Sequence, residues 1–319
     1  MTIISKDISK AISLLKNNAI VAIPTETVYG LAGNIYSDNA IRKIFEVKKR
    51  PHFNPLIVHV DSLTKVEALV SEFPEKAKLL AEAFWPGSLT LILKKNSAVP
   101  DLVTAGKDTV AIRIPNHSVT LDLLQQLPFP LAAPSANPFG SISPTSALHV
   151  ENYFKDAIDM VLDGGSCKNG IESTIIGFEN DEPVLYRLGS ISIEEITKVI
   201  GEVKIKNKQD KAPNAPGMLE RHYAPSTKTF LVPDVANFIK KYPNKNIAVL
   251  VFSEAIVAPN IKKLVVLSKK KDLKEAASNL YQSLHDLDDL HLDMIVAETF
   301  PDVELGKSIN DRLERATKD

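Results

Sequence analysis

Pro130-Leu-Ala-Ala-Pro-Ser135-Ala-Asn-Pro-Phe-Gly140-Ser-Ile-Ser-Pro-Thr145 decides the fold class. Its first four residues, Pro130 to Ala133, read as a buried strand. Ser135, Asn137 and Gly140, set between prolines, read as a turn, and Ser143 to Thr145 read as a helix start. A strand that passes through small hydroxyls and an amide into a helix is an α/β device, and such folds put their chemistry at strand ends. Outward from this stretch the alternation continues. Ile8, Ile12 and Leu15 keep helical spacing, Ala19 to Ile23 is a short apolar run, and Lys76 to Phe84 predicts a helix stopped by Pro86-Gly87. Leu89 to Leu93, Val110 to Ile114, Met160 to Leu162 and Thr174 to Phe178 predict strands. Ser192 with Glu195 forms a capping box for a helix ending near Gly201. The expectation is an α/β fold. Parallel and mixed sheets stay open, because segments within 158–187 are close enough for antiparallel pairing.

The composition changes at about 203–226, which is polar, Pro-rich and without an apolar period. We therefore expect three parts: a catalytic domain at 1–202, a linker at 203–226 that closes over the site as a lid, bending at Gly217, and a small α/β domain at 227–319. In the last part Phe230 to Val232, Ile247 to Phe252, Leu264 to Leu267 and Met294 to Ala297 predict strands. Val235 to Lys241, Leu273 to Leu287 and a segment from Ser308 predict helices.

Composition removes several function classes. Lys and Arg number 38 against 39 Asp and Glu, so a protein held to nucleic acid by its overall charge is excluded and any RNA contact must be local. The single cysteine, Cys167, permits no internal disulfide or thiolate-rich metal site and suits a reducing, cytoplasmic setting. No apolar run approaches the roughly 20 residues of a membrane helix. Lys6, Asp7 and Lys10 make the N-terminus an amphipathic helix, unlike a signal peptide. Residues 301–308, PDVELGKS, end like a phosphate loop but have Pro301 where glycine is needed. The acidic run from His285 to Asp293 reads as a solvated helix face.

Four clusters fall at strand ends. Thr25, Glu26, Thr27 and Tyr29 stand in a turn with Gly30, which would let backbone approach a ligand. Lys48, Lys49 and Arg50 precede Asn54 and an apolar strand holding His59. If the segment is extended, Lys48 and Arg50 face one side. Arg113 ends the apolar strand from Thr109, where a charge must find an anion: a protein carboxylate, or a bound carboxylate or phosphate. The opening stretch contributes Ser135, Asn137 and Ser143 as an anion-binding corner. Ser173 and Arg187 follow later. This set suits a nucleoside triphosphate together with a small carboxylated substrate, and direct displacement at phosphorus.

The quoted motifs PTETVYGLAGN (24–34), KKRPHFNPLIVHV (48–60), FWPGSLTLIL (84–93), DTVAIRIP (108–115), APSANPFGSISPT (133–145), DGG with ESTII, and Arg187-Leu-Gly189 resemble the YrdC/YwlC family in its two-domain form. The resemblance implies an open, twisted mixed sheet with helices and a smaller Rossmann-like C-terminal domain. It implies an enzyme that joins L-threonine, bicarbonate or CO2, and ATP into threonylcarbamoyl-AMP and pyrophosphate. A transferase then carries the threonylcarbamoyl group to tRNAs that read codons beginning with A. Carried over residue by residue, Thr25, His59, Arg113, Ala133 and Ser173 would hold threonine. Lys48 and Arg50 would do the catalytic work and, with Asn54, Thr109, Ser135, Asn137, Ser143, Arg187 and Tyr223, hold ATP. Mg²⁺ would ride on the ATP phosphates and not on protein ligands. A weak tRNA contact and no membrane contact are expected. Two other readings compete: an RNA-binding module without turnover, and the carbamoyl-adenylate chemistry of hydrogenase maturation, whose zinc finger one cysteine cannot supply.

Overall fold

The computed structural model describes residues 2–207 and 222–318, so the Gly217 bend and most of the expected lid lie outside the described residues. Among the described residues the first sheet has eleven strands. In spatial order these are Ile3–Ser5, Met160–Leu162, Val21–Ile23, Gly30–Asn34, Leu131–Ala132, Ile57–His59, Thr109–Arg113, Leu89–Lys94, Thr174–Glu179, Glu182–Arg187 and Lys204–Ile205. The sheet is mixed. Ile57–His59 runs parallel to Thr109–Arg113, and Leu89–Lys94 runs antiparallel to it. The close segments Thr174–Glu179 and Glu182–Arg187 do pair antiparallel, whereas Met160–Leu162 pairs parallel with strands from the start of the chain.

The two-residue period of the strands sorts the central sheet into two faces. Val58, Leu91, Ile112, Ile176 and Leu185 turn toward the helices Asp38–Lys48, Glu75–Phe84 and Ile193–Ile200, packing with Ile41, Ile44, Phe45, Leu80 and Ile196. The opposite face carries Ile57, Ile92, Ala111, Ile175, Val184 and Tyr186 as a separate buried cluster. Thr109, Arg113 and His59 share that second face by period. A buried apolar floor thus has two charged or titratable groups at one end. The helix expected at Ser143 to Thr145 begins at Ala147, after Ser146 has capped it by accepting from the His149 N–H.

The second sheet is parallel, with strands in the order Thr229–Val232, Met294–Glu298, Ile247–Val251 and Ile261–Val266. Helices Leu273–Asp288 and Leu305–Ala316 cover one face through Leu280, Leu284, Ile309 and Leu313, and Val235–Ile239 covers the other. The last helix starts three residues before Ser308. The GKS triplet is its first turns and makes no phosphate loop: Lys307 pairs with Glu194 at 2.7 Å and Ser308 donates to the Gly189 carbonyl. The acidic run is solvated at Asp286 and Asp289, but His285 turns inward and stacks on His149 at 3.8 Å between ring centres. Val28, Ile142, Ile171 and Tyr223 join the core of the second sheet, which makes one continuous apolar contact between the two units. Among the described residues no helix is long and apolar enough to cross a membrane.

Candidate active site

A pocket opens where the strand ends converge. It is lined by Thr25, Arg50, His59, Arg113, Ala133, Ser135, Ser173, Arg187 and Tyr223 from the expected set, with Glu172 and His222 added. The fold brings these together because Ile57–His59 and Thr109–Arg113 are adjacent and in register, His59 opposite Arg113. Ala133 is fixed beside them by its N–H to the Ile57 carbonyl.

Arg113 finds a protein carboxylate. Its Nη2 lies 2.7 Å from Glu26 Oε1, Nη1 donates to Thr27 Oγ1 at 2.8 Å, and Nε donates to the Gly87 carbonyl. Only Nε and Nη1 make hydrogen bonds; Nη2 is paired with Glu26 by charge and distance but has no hydrogen-bond partner among the described residues, so its two donors are left for a ligand. Glu26 also accepts from Ser88 and from the Asn116 N–H. Burial alone would raise the Glu26 carboxyl, but Arg113 outweighs burial and holds it below the usual range. His59 is pushed down to about 3, first by burial and then by Arg113, so its ring is neutral; Nδ1 sits 3.2 Å from the Ile57 carbonyl. Thr25 spends its hydroxyl on its own turn, donating to the Val28 carbonyl and accepting from two N–H groups. Gly30 lines the pocket, and the close approach of Ala133, whose Cβ would stand 3.1 Å from an added Cβ, requires a glycine there.

Lys48 and Arg50 are brought together in a way the alternation argument does not anticipate. Lys48 is the last residue of a helix, Lys49 takes a left-handed conformation (φ 51°) as its cap, and Arg50 follows it out of the turn. Both are buried. Lys48 Nζ donates to the Ser135 and Asn137 carbonyls, and Arg50 donates to those of Asn54 and Pro55. Among the described residues neither meets a carboxylate. Burial, then Arg50, drives the Lys48 ammonium well down; burial, then Arg187, pushes Arg50 to about 9, still charged at neutral pH. Arg187 donates to the Ser173 carbonyl and hydroxyl at 3.0 Å each.

The other expected residues sit differently. Asn54 is fully buried and its side-chain polar atoms have no partner among the described residues, whereas Asn137 ties its own turn through the Pro138 and Ser141 carbonyls. Ser143 donates to Glu172 at 2.6 Å. Thr109 does not join this corner. It lies at the far end of Arg113's strand, about 13 Å away by strand rise, beside Ile92 and Phe178. The Tyr223 hydroxyl is buried and has no partner among the described residues, and His222 is driven well down by burial and then by Arg50 and Lys48. Sequence reasoning did not reach Glu172, His222, Tyr281 or Arg312 as parts of the site. Glu172 stood in a noted cluster beside Ser173, whereas Tyr281 and Arg312 look like ordinary positions of amphipathic helices.

Residues 13–189 match the family model described as telomere recombination (Sua5/YciO/YrdC), and residues 191–317 match that of the threonylcarbamoyl-AMP synthase C-terminal domain. The chain is 40% identical to threonylcarbamoyl-AMP synthases of Pyrococcus abyssi, over 96% of this chain and 93% of that one, and of Bacillus subtilis, over 97% and 92%. The crystal structure of P. abyssi Sua5 complexed with L-threonine superposes with a TM-score of 0.93 at 39% identity, covering 99% of this chain and 97% of that one. With both halves matched in order and nearly the whole length shared, the chain belongs to the two-domain threonylcarbamoyl-AMP synthases of the Sua5/YciO/YrdC family.

Proposed function

We propose that threonine occupies the Arg113–His59 end of the pocket and the ATP phosphates the Lys48–Arg50–Arg187 end. The amine of threonine adds to CO2, taken directly or from bicarbonate, and loses a proton to give a carbamate. A carbamate oxygen then attacks the α-phosphorus of ATP, the bond from that phosphorus to the bridging oxygen breaks, and pyrophosphate leaves. The observation that carries this reading is the pair of buried cations, Lys48 and Arg50, whose only partners among the described residues are carbonyls. Carbonyls satisfy donors without cancelling charge, so an incoming polyanion gains the whole attraction. These cations and Arg187 then oppose the charge that builds on the transferring phosphoryl and on the leaving pyrophosphate.

Arg113 keeps two donors for the threonine carboxylate, and neutral His59, Thr25, Ala133 and Ser173 shape the rest of that end. The apolar floor of Ile57, Ile92, Ala111, Ile175, Val184 and Tyr186 suits a nucleobase, with Thr109 beyond it to meet the polar edge. Ser135, Asn137, Ser143 and Asn54 border the phosphates, and the orphaned Tyr223 hydroxyl has an anion to donate to. Mg²⁺ would come with the ATP phosphates and neutralise charge there. The product is a mixed anhydride, which a transferase acting on tRNA would consume; residues 203–226 would serve as the lid that shelters it from water. The test is mass spectrometry of the protein with ATP, Mg²⁺, threonine and labelled bicarbonate. Labelled threonylcarbamoyl-AMP is expected, and pyrophosphate release that needs neither threonine nor bicarbonate would refute the reading.

A further inference from the structure

The charge at the nucleotide end is set from outside the domain that carries the motifs. Glu172 lines the pocket, is 4% exposed, and receives three side chains. Ser143 Oγ lies 2.6 Å from Oε1, the Tyr281 hydroxyl 3.1 and 2.9 Å from the two oxygens, and Arg312 Nε 3.0 Å from Oε2. Tyr281 belongs to Leu273–Asp288 and Arg312 to Leu305–Ala316, both helices of the second unit. The same two side chains flank Tyr223. The Arg312 guanidinium carbon is 4.9 Å from its ring centre, and the Tyr281 ring stacks at 5.8 Å. Arg312 is fully buried and also reaches the Leu188 carbonyl and Asp311. Ser308 fixes the neighbouring Gly189 carbonyl. Two helices of the second unit therefore grip both strand ends that present Ser173 and Arg187.

A buried carboxylate must be answered by donors, and two candidates compete for Glu172. Arg312 and Tyr281 hold it from behind, whereas Arg187, itself turned to Ser173, lies on the pocket side. Burial would raise the Glu172 carboxyl, but Arg312 and then Arg187 outweigh it and keep it ionised. Without its rear donors the carboxylate would turn further toward the pocket, adding negative charge at the phosphate end and drawing Arg187 off Ser173.

We propose that Tyr281 and Arg312 are positioning residues of the synthase, which fix Glu172 and Tyr223 so that the phosphate end keeps its positive charge and its aromatic wall. The second unit then completes the pocket. This rests on the placement of the ATP phosphates at Lys48, Arg50 and Arg187. The test uses the full chain with Tyr281→Phe, Arg312→Lys and, as reference for that placement, Arg50→Ala. Pyrophosphate release gives kcat and KM for each substrate against pH, and thermal unfolding reports the fold.

Tyr281→Phe removes one hydroxyl and keeps the stack, so it should fold as the parent does. Its KM for ATP rises about tenfold and that for threonine stays within about twofold, on the scale of one charge-assisted hydrogen bond partly lost. The acid limb of kcat/KM for ATP moves by about one pH unit toward neutrality, because the ionised Glu172 has lost a donor. Arg312→Lys keeps the charge but loses the fork, and gives the same split. If Arg50→Ala raises the KM for ATP while Tyr281→Phe and Arg312→Lys alter neither KM nor the pH limb, the positioning role is overturned and the phosphate placement stands. Equal rises in both KM values, or a fall in kcat that merely follows the melting temperature, also overturn it. An unchanged KM for ATP in Arg50→Ala overturns the phosphate placement and this proposal with it.

Discussion

Glu26→Gln tests the threonine end most directly, because it removes one charge and almost no volume. In the parent, Arg113 is 4% exposed and its Nη2 lies 2.7 Å from Glu26 Oε1. Removing one partner of a buried pair costs about 3–5 kcal/mol, and the glutamine carbonyl, which can still accept a hydrogen bond, recovers part of that. We expect a loss of about 2–3 kcal/mol in urea unfolding at neutral pH. The second half of the prediction separates this from ordinary damage. The bared Arg113 charge has no full counterion until threonine supplies its carboxylate, so the variant should bind threonine more tightly than the parent. A charge-assisted contact of about 1.5–3 kcal/mol corresponds to roughly 10- to 150-fold in affinity. Calorimetry gives the affinity, and unfolding with and without threonine gives the linked stabilisation. Weaker threonine binding, or unchanged binding in a destabilised variant, would remove Arg113 from the carboxylate role.

Other outcomes follow from the same geometry. Serine lacks one methyl of threonine and should be poorer by roughly 10–200-fold in kcat/KM, the worth of a methyl in an apolar pocket, measured by pyrophosphate release. Gly189→Ala drives a Cβ into the backbone of Glu172, Ser173 and Thr174; a loss of about 1–3 kcal/mol in thermal unfolding and a larger fall in activity are expected. His59, pushed down to about 3, and His222, driven well below its ordinary value, fold neutral and are protonated in the unfolded chain below its usual pKa near 6.5. Folded pKa values below the unfolded one mean that stability is complete above about pH 6.5 and is lost as pH falls below it, by up to about 2 kcal/mol for His59 at pH 5, with His222 acting in the same direction. A melting temperature flat from pH 7 to pH 5 would contradict the neutral assignment.

Most strands and long helices were legible because each has one apolar period and a clear stop, as in Lys76 to Phe84 or the Ser192–Glu195 box. Arg113 and His59 stood out because a charged or titratable side chain in an apolar strand must be answered. Lys48 and Arg50 were legible as a pair for the wrong local reason: the chain aligns them through a helix end and one left-handed residue, whose energetics no alternation rule contains. The counterions were illegible. Glu26 read as part of a polar turn, and no local pattern marks Arg312, yet Arg312 is fully buried against a glutamate 140 residues earlier. Pairings at that separation depend on how two complete units dock, and a local pattern records nothing of docking. The sheet's mixed order was hidden for a related reason, since Met160–Leu162 pairs with strands some 140 to 160 residues before it.

The distribution of counterions carries the functional argument one step further. Arg113, Arg312 and Arg315 each face a buried carboxylate at 2.7–3.1 Å, and these pairs fix strand ends and helices without leaving net charge. Among the described residues Lys48 and Arg50 face carbonyls only, and each depresses or is depressed by a neighbouring cation. Burying like charges side by side is unfavourable in the empty fold, and the surrounding core has to hold them there. A fold that, among the described residues, neutralises these three arginines internally and gives two adjacent cations no acid concentrates its unmet electrostatic demand at that corner. On the proposed placement, threonine, with one carboxylate, would enter at an end already balanced by Glu26, and its binding would depend on shape and on the donors left on Arg113. The triphosphate would enter where the imbalance is stored, and its arrival would relieve the repulsion between Lys48 and Arg50 and favour full protonation of both. The charge that the nucleotide brings is then the charge the site lacks, which ties the readiness of the cations for phosphoryl transfer to the presence of the substrate that undergoes it.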